Sequence, residues 1–134
     1  AKVFKNMGIL SRASDLVDRG YGESKVDFLS VYEPFNGDIV TNPPYKYAEE
    51  FVRHAYNLIT EGNKVCMFLK LTFLESKSRK KMFEEIPLKT LYVSSSRIGC
   101  YRNNDRSFKS SAIAYGWYVW EKGYKGNPTI KWIN

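Results

Sequence analysis

Apolar positions along the chain change their period several times, and each change marks an element. "ILSRASDL" (9–16) has strand character and ends near Asp15, followed by a glycine-containing polar loop and the short run "VDFL" (26–29). "DIVT" (38–41) is a short β-branched run, and Pro43 and Pro44 stop it because proline cannot continue a ladder. Ala48, Phe51, Val52, Ala55, Leu58 and Ile59 then recur at helical spacing, with Gly62 as a stop signal. "KVCMFLKL" is an unbroken apolar run of strand length, the pattern of a strand covered on both faces. "ESKSRKKMFEEI" predicts a second helix ended by Pro87, and "LKTLYVSS" another strand. "SRIGCYRNNDRSFKS" reads as a long polar, basic loop, and "SAIAYGWYVWEKG" and "TIKWI" as late strands rich in aromatics. Strands alternating with helices predict an open α/β sheet, and in such sheets ligands bind beyond the carboxyl ends of the strands. Asp15, Asp27 and Asn42 all fall at or near strand ends on that edge.

Composition narrows the class. The 134 residues are 43% hydrophobic and 26% charged, the balance of one globular domain with a real core. Lys and Arg number 21 against 14 acids, a net charge of +7 that favours an anionic partner, nucleic acid ahead of a membrane surface. Two cysteines make no disulfide framework; Cys66 is expected as a buried, reduced thiol and Cys100 in a polar loop. One histidine, His54 in mid-helix, and two distant cysteines supply no ligand set for a metal. No signal peptide or membrane-length apolar stretch is present, so a cytoplasmic site is the default.

"DIVTNPPY" (38–45) carries the most specific chemistry. Pro43 biases Asn42 towards extended geometry, and Pro44 stiffens the next link. The Asn42 side-chain oxygen and the Pro43 carbonyl can then stand as two fixed acceptors for an amino group with two hydrogens to donate. Tyr45 adds a flat face for a planar group. The pattern reads as a holder for a planar amine; a plain strand-ending turn uses the same residue types.

Asn-Pro-Pro-Tyr after a hydrophobic strand, with "SDL" and "VDFL" upstream, resembles the S-adenosylmethionine-dependent amino-methyltransferases. Within them the chain looks most like the adenine-specific (N6) DNA methyltransferases, over about residues 10–133. The resemblance implies a Rossmann-like methyltransferase fold: a mostly parallel open sheet, helices on both faces and a late antiparallel strand. It implies that Asp15 binds the ribose hydroxyls of S-adenosylmethionine, and that Asp27 and Phe28 meet its adenine. Asn42 and Pro43 would accept from the adenine N6 amino group, Pro44 completing the motif, while Tyr45 stacks on a base turned out of the helix. Asp15 as a loop cap and Phe28 as a core residue remain open readings.

The basic segment 97–109 places Arg97, Arg102, Arg106 and Lys109 around Tyr101 and Phe108, an interleaving suited to DNA. "KSRKK" (77–81) reads as a solvated helix face. The family's glycine-rich loop after its first strand has no counterpart before Asp15. "AKVFKNMG" reads as the end of the helix that follows that loop, so 1–134 is expected to be a single catalytic domain lacking the first strand and the loop. Glutamine N5 or ribosomal RNA guanine N2 methylation uses the same motif, and a non-catalytic nucleic-acid-binding module is the reading from another class.

Overall fold

A computed structural model describes residues 28–95 and 113–133 with their side chains, and the backbone of 101–102 and 105–109. The chain divides into two units, Ala1–Glu33 and Pro34–Asn134. In the first, the described residues hold a single 3-10 turn, Phe28–Ser30, in place of the extended run "VDFL" suggested. The expectations about a first strand, its loop and "ILSRASDL" fall on residues 1–27, outside the described residues.

The second unit contains β1 (Ile39–Thr41), α1 (Ala48–Leu58), β2 (Lys64–Lys70), α2 (Lys77–Glu85), β3 (Thr90–Ser94), β4 (Tyr101–Arg102), β5 (Asp105–Lys109), β6 (Tyr115–Glu121) and β7 (Thr129–Ile133). Five strands form one sheet in the order β1-β2-β6-β3-β7. β1 is parallel to β2, β6 is antiparallel to both β2 and β3, and β7 is parallel to β3. Four strands therefore point one way, and β6, the expected late antiparallel strand, is inserted between them. The segment read as a long loop contains a second, two-stranded sheet instead: β4 pairs antiparallel with β5. Its polar composition hid a hairpin whose backbone hydrogen bonds need no apolar face.

Each element follows from its residues. β1 has only three residues, and its start is tied to β2 where the Lys64 backbone N–H donates to Asp38 Oδ1 at 2.8 Å. In α1, Ala48, Val52, Ala55 and Leu58 form the buried stripe, and Glu49 and Glu50 suit the positive end of the helix. The helix ends at Leu58, because Ile59 turns extended (ψ 157°) and bridges to Phe35. Gly62 lies too late to end it; its φ of 84° serves the turn into β2, a left-handed conformation that glycine adopts cheaply. α2 starts at Ser76, whose side chain accepts from the Arg79 N–H at 3.3 Å. It ends before Pro87, which restricts Ile86 to extended geometry.

β2 is not covered equally on both faces as its apolar run suggested. Val65, Met67 and Leu69 are fully buried, while Cys66, Phe68 and Lys70 are half-buried. Register places Val65 beside Trp120 and Met67 beside Tyr118 on the buried face. Both described helices pack on that face. Phe83 of α2 stacks on Trp120, and Phe73 meets Tyr118 edge-on with ring centroids 5.5 Å apart. Val52, Phe73 and Met82 complete this core, each buried side chain contributing roughly 1.5–3 kcal/mol. Cys66 is a half-buried free thiol rather than a fully buried one; burial pushes its pKa up. Among the described residues no helix is long and apolar enough to cross a membrane.

Candidate functional site

Three strand ends meet at one edge of the sheet. β1 delivers Asn42 at its carboxyl end, β2 ends at Lys70, and antiparallel β6 begins at Tyr115, the register partner of Lys70. A cavity of about 250 Å3 opens here, lined by Asn42, Pro43, Tyr45, Phe68, Leu69, Lys70 and Tyr115. It is smaller than the roughly 300–1,000 Å3 of drug-sized sites.

Pro43 is buried and Pro44 exposed, so the two prolines hold the chain across the boundary of the fold. The Pro44 carbonyl accepts the Tyr47 N–H at 3.0 Å and opens the 3-10 turn Tyr45–Tyr47 that leads into α1. Among the described residues nothing hydrogen-bonds the Asn42 amide, which stands exposed at the cavity. Phe68 and Tyr115, which also line the cavity, stack nearly parallel, 4° between planes and 5.1 Å between centroids. Behind them Tyr118, fully buried, donates to the Lys70 carbonyl at 2.8 Å and fixes the strand end.

Tyr45 is the most heavily engaged of these side chains. Its hydroxyl shares a hydrogen bond with Thr72 at 3.3 Å and accepts from Arg79 Nη1 at 3.2 Å. Lys70 Nζ lies 4.7 Å from the ring centroid, and the Arg79 guanidinium carbon 5.2 Å. Thr72 is the main influence holding the Tyr45 pKa below the ordinary tyrosine value; Arg79 and Lys70 act the same way, and partial burial opposes them. Burial pushes the neighbouring Tyr118 phenol the other way, far above that value.

Of the residues singled out in the sequence, Asn42, Pro43 and Tyr45 come together at this cavity, and Pro44 adjoins it without lining it. Phe28 is half-buried in the first unit. Asp15, Asp27 and Arg97 lie outside the described residues. Tyr101 and Arg102 fall on β4, and Arg106 and Lys109 on β5, where the backbone alone is described. Sequence reasoning missed Phe68, Lys70, Thr72, Arg79 and Tyr115. Lys70 left a trace, as the one charge interrupting an apolar run at a strand's carboxyl end. Arg79 left none: "KSRKK" is a solvated face at Lys77, Lys80 and Lys81, but Arg79 turns inward over Phe73 at 4.5 Å. Among the described residues no cluster of side chains is suited to a metal ion.

A scan of protein-family models and a search of curated proteins give no match. Solved structures do match. One, from Listeria monocytogenes and described as a putative class I S-adenosylmethionine-dependent methyltransferase, superposes at a TM-score of 0.60 with 9% identity, over 99% of this chain and 52% of its own. The fold is that of the Rossmann-like methyltransferases. A predicted O-methyltransferase from Agrobacterium tumefaciens matches at a TM-score of 0.53 with 14% identity, over 82% of this chain and 52% of its own. The chain spans about half the length of these two structures. Its cavity lies at the carboxyl edge of the sheet, where open α/β folds of this kind bind their ligands.

Proposed function

We propose that this chain carries the acceptor site of an S-adenosylmethionine-dependent methyltransferase acting on the N6 amino group of adenine in DNA. The observation that carries the reading is the convergence of Asn42, Pro43 and Tyr45 on one small cavity at the carboxyl edge of a methyltransferase-type sheet. An exposed amide acceptor, a rigid proline carbonyl and an aromatic ring fit a planar heterocycle bearing an amino group. S-adenosylmethionine, when bound, supplies a methyl group on a positively charged sulfur. By the family resemblance, Asp15, Asp27 and Phe28 would hold it.

Asn42 Oδ1 and the Pro43 carbonyl take both amino hydrogens of the adenine. Holding both hydrogens draws the nitrogen out of conjugation with the ring and frees its lone pair for the methyl group. The proton is released after transfer, so no general base is needed beside the nitrogen. Tyr45 stacks on the base, worth about 1–3 kcal/mol in single-strand binding. Phe68 and Tyr115 add a stacked aromatic pair to the lining of the cavity.

The test is transfer of labelled methyl from S-adenosylmethionine to DNA, ribosomal RNA and release factor offered in parallel. Label recovered as N6-methyladenine supports the reading. Label in guanine or glutamine keeps the chemistry and replaces the acceptor, and nucleic acid bound without any transfer points to the binding module.

A further inference from the structure

Among the described residues, two half-buried cations pair with carboxylates and a third with a backbone carbonyl. Arg53 bonds Glu85 at 2.9 Å and Glu49 at 3.3 Å, Lys89 bonds Glu121 at 3.0 Å, and Lys122 donates to the Tyr56 carbonyl at 2.7 Å. Lys70 and Arg79 differ from Arg53 and Lys89, and unlike Lys122 they hold no backbone carbonyl among the described residues. Both are half-buried, and among the described residues neither has a carboxylate partner. Lys70 has the Tyr45 ring alone, and Arg79 has the rings of Tyr45 and Phe73 and the Tyr45 hydroxyl. A cation held partly out of water without a counter-charge is unfavourable, and an aromatic face compensates it only in part. Both charges sit around the ring assigned to stack the substrate, and Lys70 also lines the cavity.

From this arrangement, and resting on the methylation reading above, we infer that Lys70 and Arg79 form a clamp for the phosphate of the nucleotide whose base enters the cavity. The class of ligand follows from the pairing of features. An aromatic ring against Tyr45 with negative charge beside it describes a nucleotide in a strand; a protein glutamine brings a planar amide but neither an aromatic ring nor a phosphate. Arg79 is suited to the role because its guanidinium can fork onto phosphate oxygens, and Lys70 because its ammonium is a compact charge that can swing from the ring. The clamp selects for a phosphate-bearing acceptor at the point of chemistry, independently of the basic segment 97–109.

The experiment measures binding of a short single-stranded DNA carrying one adenine to the full 134-residue chain across a salt series. Each phosphate contact contributes about 0.7 to the slope of log affinity against log salt for single strands. Lys70→Gln and Arg79→Gln are each expected to reduce the slope by about that amount. The charge-matched control Lys125→Gln, at an exposed position, is expected to leave the slope unchanged. Arg79 packs on Phe73, so the charge-retaining Lys70→Arg and Arg79→Lys are measured alongside; they are expected to keep the slope and to show that charge, not packing, is read. A slope unmoved by the glutamine variants, a fall as large in Lys125→Gln, or no binding by the unaltered chain overturns the clamp. Methyl transfer is recorded separately: label on glutamine would refute the adenine reading, while the salt slopes would still decide on Lys70 and Arg79.

Discussion

Replacing Tyr118 with Phe removes one oxygen from the core and leaves the ring in place. The phenyl ring keeps its edge contact with Phe73 at 5.5 Å and its stacking on Trp120 at 5.9 Å. What disappears is the 2.8 Å hydrogen bond to the Lys70 carbonyl, which also loses a partner at the strand end. A neutral hydrogen bond contributes about 0.5–1.5 kcal/mol net, and an acceptor left unsatisfied adds to the loss, giving about 1–2 kcal/mol at neutral pH. For a domain of this size that lowers the unfolding midpoint by roughly 3–10 °C. Alkaline pH tests the burial itself. The buried phenol keeps its proton above the ordinary tyrosine pKa of about 10, whereas the unfolded phenol loses it. The native state then binds more protons than the unfolded state, so stability falls as pH rises, by about 1.4 kcal/mol per pH unit from this group. Its contribution is fully present below about pH 10 and lost above, and Tyr118→Phe lacks it. Urea unfolding of both proteins should give curves that converge above about pH 10 and cross near about pH 11. Curves that stay parallel through that range would refute the placement of the phenol in a dry core.

Other substitutions probe the site and its support. Tyr45→Ala should weaken adenine-containing single strands by about 1–3 kcal/mol, with Tyr45→Phe close to the unaltered chain in a titration at neutral pH. Because Thr72 above all holds the Tyr45 phenol below the ordinary tyrosine range, oligonucleotide affinity should start to fall below about pH 10 as a phenolate forms beside the ligand. Tyr45→Phe should lack that fall. Gly116→Ala would put a methyl 2.8 Å from the Tyr92 carbonyl and 3.1 Å from Leu71 and Leu91, and should cost about 1–3 kcal/mol in denaturant unfolding. Met82→Ala empties the fully buried anchor of α2 and should cost about 2–5 kcal/mol in the same assay.

Local chemistry made part of this architecture legible. The stripe through Ala48, Val52, Ala55 and Leu58 defines α1, and the prolines at 43, 44 and 87 mark where β1 and α2 stop. β-branched and aromatic runs marked β2, β3, β6 and β7 for the same reason. What stayed hidden depends on pairing across the chain. The run "KVCMFLKL" is apolar throughout between Lys64 and Lys70, so only those two end charges tell the dry face of Val65, Met67 and Leu69 from the face of Phe68 and Lys70. Tyr115 becomes a cavity residue only because β6 runs antiparallel to β2 and sets it opposite Lys70. Arg79 is one cation among five clustered polar residues, and only the packing of α2 against Phe73 turns it inward. The acceptor motif was legible at Asn42, Pro43 and Tyr45 because proline fixes backbone locally; its aromatic and cationic surroundings come from tertiary contacts.

Steady-state methyl transfer to adenine-containing DNA, by the unaltered chain and by Asn42→Ala, decides whether the Asn42 cavity is the acceptor site. The Asn42 amide makes no hydrogen bond among the described residues, so its removal should leave thermal stability nearly unchanged. Loss of one fixed partner for the reacting group should lower kcat about 10²–10³-fold while label in the unaltered reaction is found as N6-methyladenine. Transfer that proceeds equally well without the Asn42 amide, or label that never appears on adenine N6, would contradict the account.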